Sequence, residues 1–127
     1  MLEQVGLWEE VKDRVHGPAL ALSGGQQQRL CLARALILRP EVILMDEPCS
    51  ALDPISSQKI EQLILSLRGR CTVIIVTHNI AQARRIADYV ALFWNIDGPG
   101  QLIEYGLVDQ VFECPVNKLT ADYLSYL

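Results

Sequence analysis

Leu2, Val5, Trp8, Val11 and Val15 recur every three or four residues, the spacing of one apolar helix face. That pattern predicts a short amphipathic helix that runs through Gly6 and ends at Gly17 and Pro18. A second helix is predicted to begin after Ser23, whose hydroxyl suits an N-cap, and to run through Leu30, Ala33, Leu36 and Ile37 until Pro40 stops it. Val42, Ile43, Leu44 and Met45 then form a continuous apolar run ending in Asp46, Glu47 and Pro48, which reads as a parallel strand buried on both faces with a polar tip. Asp53 and Pro54 supply a cap and a first-turn proline for a third helix, with Ile60, Leu63, Ile64 and Leu67 facing inward and Gly69 closing it. Residues 72–77 repeat the buried-strand pattern up to His78, and residues 80–87 follow as a helix with Arg84 and Arg85 on its outer side. The alternation of strand and helix implies an α/β fold with a parallel sheet flanked by helices. Residues 89–95 and 101–105, joined by the turn-rich stretch 96–100, suit an antiparallel β-hairpin, and short helices around 108–112 and 120–126 complete the chain.

With 127 residues, half of them hydrophobic and 20% charged, the chain has the balance of a globular domain or part of one. Its 11 Lys and Arg against 15 Asp and Glu give a net charge of -4, which argues against a nucleic-acid partner. The apolar runs are too short to span a bilayer, so membrane association is expected to go through a partner rather than by direct insertion. Cys31, Cys49, Cys71 and Cys114 show no CxxC spacing and are expected to be free thiols in a reducing compartment.

The chemistry begins at Leu22, Ser23, Gly24, Gly25 and Gln26. A serine at a helix start followed by two glycines offers a hydroxyl, bare backbone N–H groups and the positive end of a helix dipole to an anion such as phosphate. Each glycine costs up to about 1 kcal/mol in a helix relative to alanine, so a function other than helix stability is the expected reason for the pair. Asp46 and Glu47 follow a buried strand, where alternation sends adjacent side chains to opposite sides. One carboxylate can then hold Mg²⁺, usually through water, while the other orients a water molecule for in-line attack on a phosphate. His78, at the tip of the next strand, is a candidate donor to the same phosphate.

These strings together resemble the ABC ATPase family. Leu22 to Gln26 resembles its signature, residues 42–46 with Glu47 its Walker B strand and catalytic carboxylate, Ser50, Ala51, Leu52 and Asp53 its D-loop, and His78 its switch histidine. The finer resemblance is to phosphate-import ATPases, carried by residues 23–31 with Cys31, 45–56 with Cys49, and 102–106. The two cysteines mark the subfamily and are assigned no catalytic role. Residues 90–100 depart most from the family pattern, in a peripheral hairpin.

The resemblance implies a partial P-loop NTPase domain, in which residues 1–40 are the end of the helical subdomain and 41–127 the C-terminal part of a RecA-like core. It implies ATP and Mg²⁺ as cofactors, with Glu47 and His78 catalytic, Asp46 at the metal, and Ser23, Gly24, Gly25, Gln26 and Asp53 at the nucleotide. Members dimerise head to tail, each signature closing over ATP held by the other subunit, and dock on transmembrane permease subunits. They sit in the cytoplasm against the inner face of the membrane. The implied activity is that of a phosphate transporter ATPase coupling ATP hydrolysis to phosphate import. No GxxxxGKS or GxxxxGKT string occurs in these residues, so the P-loop is expected upstream and the 127 residues alone are expected to hydrolyse no ATP. The alternative reading is a non-catalytic module that only associates with intact ATPase subunits.

Overall fold

The computed structural model describes residues 1–96 and 98–126; Asp97, in the predicted hairpin connector, lies outside them. The chain forms two compact units, Met1–His78 and Asn79–Leu127.

In the first unit the predicted opening helix is largely replaced by turns. Only α1 (Trp8–Val11) is α-helical, followed by a 3-10 turn over Lys12–Arg14. Gly6 is the reason: its φ of +62° lies in the left-handed region, so no helix passes through it. Of the predicted apolar face Val5 and Val11 enter the core and Leu2 packs against it, whereas Trp8 and Val15 are exposed and Leu7, from off that face, is buried instead. α2 (Gly24–Ile37) begins at the Ser23 cap as expected and ends just before Arg39, which takes a left-handed φ of +49° ahead of Pro40. Its buried residues Leu32, Ala33 and Leu36 join Val5, Leu7 and Val11 with Ile43, Leu63 and Leu67 in one hydrophobic cluster.

β1 (Val42–Asp46) pairs in parallel with β2 (Thr72–Val76), Val42 opposite Thr72 and Asp46 opposite Val76. Between them α3 (Pro54–Ser66) buries Ile60, Leu63 and Ile64, the inward face the periodicity predicts. The expectation of strands buried on both faces is not met. Ile43 is buried and Met45 and Val73 pack against the core, but on the opposite face Leu44 is 75% exposed, Ile74 50% and Val76 62%. With two strands the sheet has one covered face, and the β-branched side chains of the other meet solvent.

In the second unit α4 (Ile80–Ile86) is capped by Asn79, whose side chain accepts the Gln82 N–H at 3.0 Å. β3 (Tyr89–Asn95) and β4 (Gly100–Leu107) form the predicted antiparallel hairpin, with a register shift between Leu92 and Phe93. α5 (Val108–Glu113) and α6 (Lys118–Ser125) follow. Arg84 pairs with Glu113 at 2.7 Å and lies over the Phe112 ring at 5.0 Å, so part of the predicted cationic face is a structural contact. Glu104 accepts the Val116 and Asn117 N–H groups at 2.8 and 3.1 Å and fixes the turn into α6.

Candidate functional site

The N-terminus of α2 is held by a reciprocal cap. Ser23 Oγ accepts the Gln26 N–H at 3.3 Å, and Gln26 Oε1 accepts the Ser23 N–H at 3.0 Å. In this arrangement the N–H groups of Gly24 and Gly25 have no intrahelical acceptor, as for any first turn, and Gly24 is exposed. The two glycines differ in what surrounds them. A Cβ on Gly25 would lie 2.7 Å from Cβ and Oγ of Ser56 in the first turn of α3, whereas one on Gly24 would meet the end of the Leu52 side chain at 3.3 Å and the Ala51 carbonyl oxygen at 4.0 Å. Close packing of α2 on α3 therefore accounts for the bareness of Gly25, a structural reason beside the functional one expected from sequence.

Asp53 is the cap of α3, accepting the Ile55 and Ser56 N–H groups at 3.0 Å each. Its carboxyl is held below the usual carboxylate range chiefly by the Ser56 side chain and next by the Ser56 N–H. The D-loop-like stretch and the signature-like turn are thus adjacent, Leu52 and Ser56 against Gly24 and Gly25.

Asp46 closes β1 and is exposed. Glu47 is not placed by strand alternation, as sequence suggests, because the strand ends one residue earlier. Glu47 takes φ +44°, and its N–H bonds to the Val76 carbonyl at 2.8 Å, so a left-handed residue hooks the β1 tip onto the β2 tip. The turn aims its carboxylate at His78. Glu47 Oε1 lies 2.6 Å from His78 Nδ1 and accepts the His78 N–H at 3.0 Å, while Oε2 accepts the Thr77 hydroxyl at 3.3 Å. The hydrogen bond from the His78 side chain is the first cause holding the Glu47 carboxyl below its ordinary value, ahead of opposing desolvation. Sequence reasoning named both residues but did not foresee their direct pairing. Beside Asp46 opens a cleft of about 220 Å³ lined by Gln28, Cys31, Met45 and Pro48 among others.

The groups present suit a polyphosphate with a hard divalent cation. An exposed carboxylate at a strand tip matches the oxygen donors Mg²⁺ takes, and uncapped N–H groups at the start of a 14-residue helix match a phosphate.

The family profile described as ABC transporter matches residues 1–50. Over 124 residues the chain is 64% identical to phosphate import ATP-binding protein PstB 1 of Nitrosococcus oceani, covering 98% of this chain and 45% of that protein. This chain resembles part of an ABC ATPase domain. Phosphate import ATP-binding protein PstB 5 of Trichormus variabilis is 54% identical over 125 residues, again 98% of this chain and 48% of the relative. The chain thus spans about half the length of the ABC proteins it matches. Among solved structures it is similar to the ADP conformation of MJ1267, an ATP-binding cassette of an ABC transporter, with a TM-score of 0.69 and 28% identity over 95% of this chain and 46% of that one.

Sequence reasoning missed Glu10 and Arg29. The Arg29 side chain, 5% exposed, makes a forked pair with Glu10, Nη1 to Oε1 at 3.0 Å and Nη2 to Oε2 at 2.8 Å, and Lys59 Nζ adds a contact to Oε1 at 3.0 Å. The Arg29 hydrogen bond is the main reason the Glu10 carboxyl is lowered to about 2. A lone Glu in an amphipathic stretch and an Arg in a polar run carry no local signal of pairing. Among the described residues no helix is long and apolar enough to cross a membrane.

Proposed function

We propose that this chain is the C-terminal part of the ATP-hydrolysing subunit of an ABC importer whose cargo is inorganic phosphate. The observation that carries the hydrolytic role is the Glu47–His78 pair at the adjacent tips of two parallel strands, beside the exposed Asp46. In this reading residues 1–40 end the helical subdomain and residues 41–127 belong to the RecA-like core.

Each residue then has one task. Asp46 holds Mg²⁺, which supplies charge neutralisation to the phosphates of bound ATP. Glu47 Oε2 or Oε1 accepts a hydrogen bond from the attacking water and orients it, and its depressed pKa keeps the carboxylate ionised for that purpose. His78 fixes the rotamer of Glu47 through Nδ1–H, and as an imidazolium it donates through its other ring nitrogen to the terminal phosphate. Ser23, Gly24, Gly25 and Gln26 serve as the anion receptor for nucleotide held by a second ATPase subunit in a head-to-tail dimer, and Asp53 shapes the D-loop beside them. Phosphate as cargo is supported by the names of the relatives, which are phosphate import proteins. Transmembrane permease subunits are the partners such an importer needs, which puts the subunit in the cytoplasm on the inner face of the membrane.

The test uses the full-length subunit. Glu47→Gln should retain ATP binding and lose hydrolysis, and Ser23→Arg should block ATP-driven dimerisation. Wild-type turnover in either variant removes that residue from the site, and a permease complex whose ATPase activity does not respond to phosphate and its binding protein removes phosphate as the cargo.

A further inference from the structure

Gln26 has an amide with one donor end and one acceptor end, and the two ends face opposite tasks. Nε2 donates to Glu10 Oε2 at 3.0 Å, while Oε1 accepts from the Ser23 N–H at 3.0 Å and from Arg14 Nη2 at 3.3 Å. Reversing the amide would set its NH₂ group against two donors and its oxygen against a carboxylate. Glu10 therefore selects the orientation in which the cap of α2 is complete. The same carboxylate grips the second turn of α2 through the Arg29 fork, and Arg29 Nε returns to the Gly25 carbonyl at 3.3 Å. Lys59 brings α3 onto Glu10 as well, so one acidic side chain ties both turns of the receptor and the neighbouring helix together.

We infer that Glu10 is a positioning residue for the nucleotide receptor at the start of α2: by orienting the Gln26 amide and holding Arg29, it sets where Ser23 and the free N–H groups of Gly24 and Gly25 stand when they meet a partner subunit's nucleotide. The inference rests on the proposed receptor role of that turn. Glu10 touches no nucleotide in this account and acts only through Gln26 and Arg29.

In the full-length subunit, with Glu47→Gln present to prevent turnover, Glu10→Gln is expected to weaken ATP-driven dimerisation, read by sedimentation, by about tenfold. ATP binding by the monomer should stay within about twofold, and hydrogen exchange at the Ser23 N–H should speed up. Lys59→Met, which removes a Glu10 contact without touching Gln26, is expected to leave dimerisation within about twofold. Wild-type dimerisation by a folded Glu10→Gln protein overturns the inference, and so does an equal loss in Lys59→Met. Rapid exchange of the Ser23 N–H in the unsubstituted subunit also overturns it, a result that stands even if Glu10→Gln does not fold. Ser23→Arg separates the two levels. If that variant still dimerises, the receptor role falls and the inference with it; if it does not, while Glu10→Gln does, only the inference falls.

Discussion

Glu47 and His78 share one oxygen twice: Oε1 of the carboxylate meets both the ring Nδ1 at 2.6 Å and the backbone N–H at 3.0 Å of the same histidine. The ring contributes the larger share to holding the Glu47 carboxyl down, so His78→Ala should let it titrate at a higher pH than in the unsubstituted protein. The backbone bond remains, and with it part of the depression. Carboxyl carbon shifts of Glu47 followed by NMR across the acid range provide the measurement; an unchanged midpoint would show that the ring contact is not formed in solution.

Glu10 gives the chain an acid-sensitive joint. Its folded pKa, about 2, lies below the ordinary value of 4.5, so the stabilisation is fully present above about pH 4.5 and is lost as pH falls toward 2. Glu10→Gln should cost about 2 kcal/mol at neutral pH and should flatten the stability profile across that window. Denaturant melts of both proteins at pH 6 and pH 3 test this, and parallel profiles would contradict it.

Gly24 and Gly25 should respond oppositely to alanine. At Gly24 a methyl meets the flexible end of Leu52 and lies at ordinary contact distance from the Ala51 carbonyl, and the gain in helix propensity of up to about 1 kcal/mol makes Gly24→Ala neutral or mildly stabilising. At Gly25 the methyl overlaps Ser56 close to its backbone, and overpacking should cost about 1–3 kcal/mol. Ser56→Gly removes the obstructing atoms, so the double variant should recover part of that loss. A thermal-melt double-mutant cycle with no coupling would show that the two helices do not meet there.

A polypeptide of residues 1–127 alone should hydrolyse ATP no faster than background, since it has no GxxxxGKS or GxxxxGKT loop to hold the phosphates. It should also associate. Val42, Leu44, Ile74 and Val76 lie on one exposed face of the β1–β2 pair. Burying each such side chain contributes about 1.5–3 kcal/mol, a large part of a typical net stability of about 5–15 kcal/mol. Sedimentation velocity and coupled ATPase assays check both halves; a monodisperse, sharply melting monomer would contradict the second.

Local chemistry was the legible part of this fold. The Ser23 and Asp53 caps and the inward face of α3 follow from neighbours within a few positions in sequence, and the parallel direction of β1 and β2 follows from the strand–helix–strand order. The Glu10–Arg29 fork spans 19 positions and joins two segments with unrelated periodicities, so no pattern along the chain announces it. The Val73 to Val76 run states what kind of surface its strand was made for, but whether that surface is covered depends on which strands are present. Gly6 was visible as a residue, and its helix-breaking effect was underestimated because the apolar spacing on either side continues undisturbed.

Glu47 stands at φ +44°, where a glycine would rest at no cost and a side chain costs about 1–3 kcal/mol. Selection for thermal tolerance and selection for turnover would therefore pull this position in opposite directions. Glycine would relax the corner, while the carboxylate that the corner aims at His78 would vanish. In the proposed reading, the bend between the two strands holds an energetically unfavourable posture so that the Glu47 carboxylate stands where it can orient water.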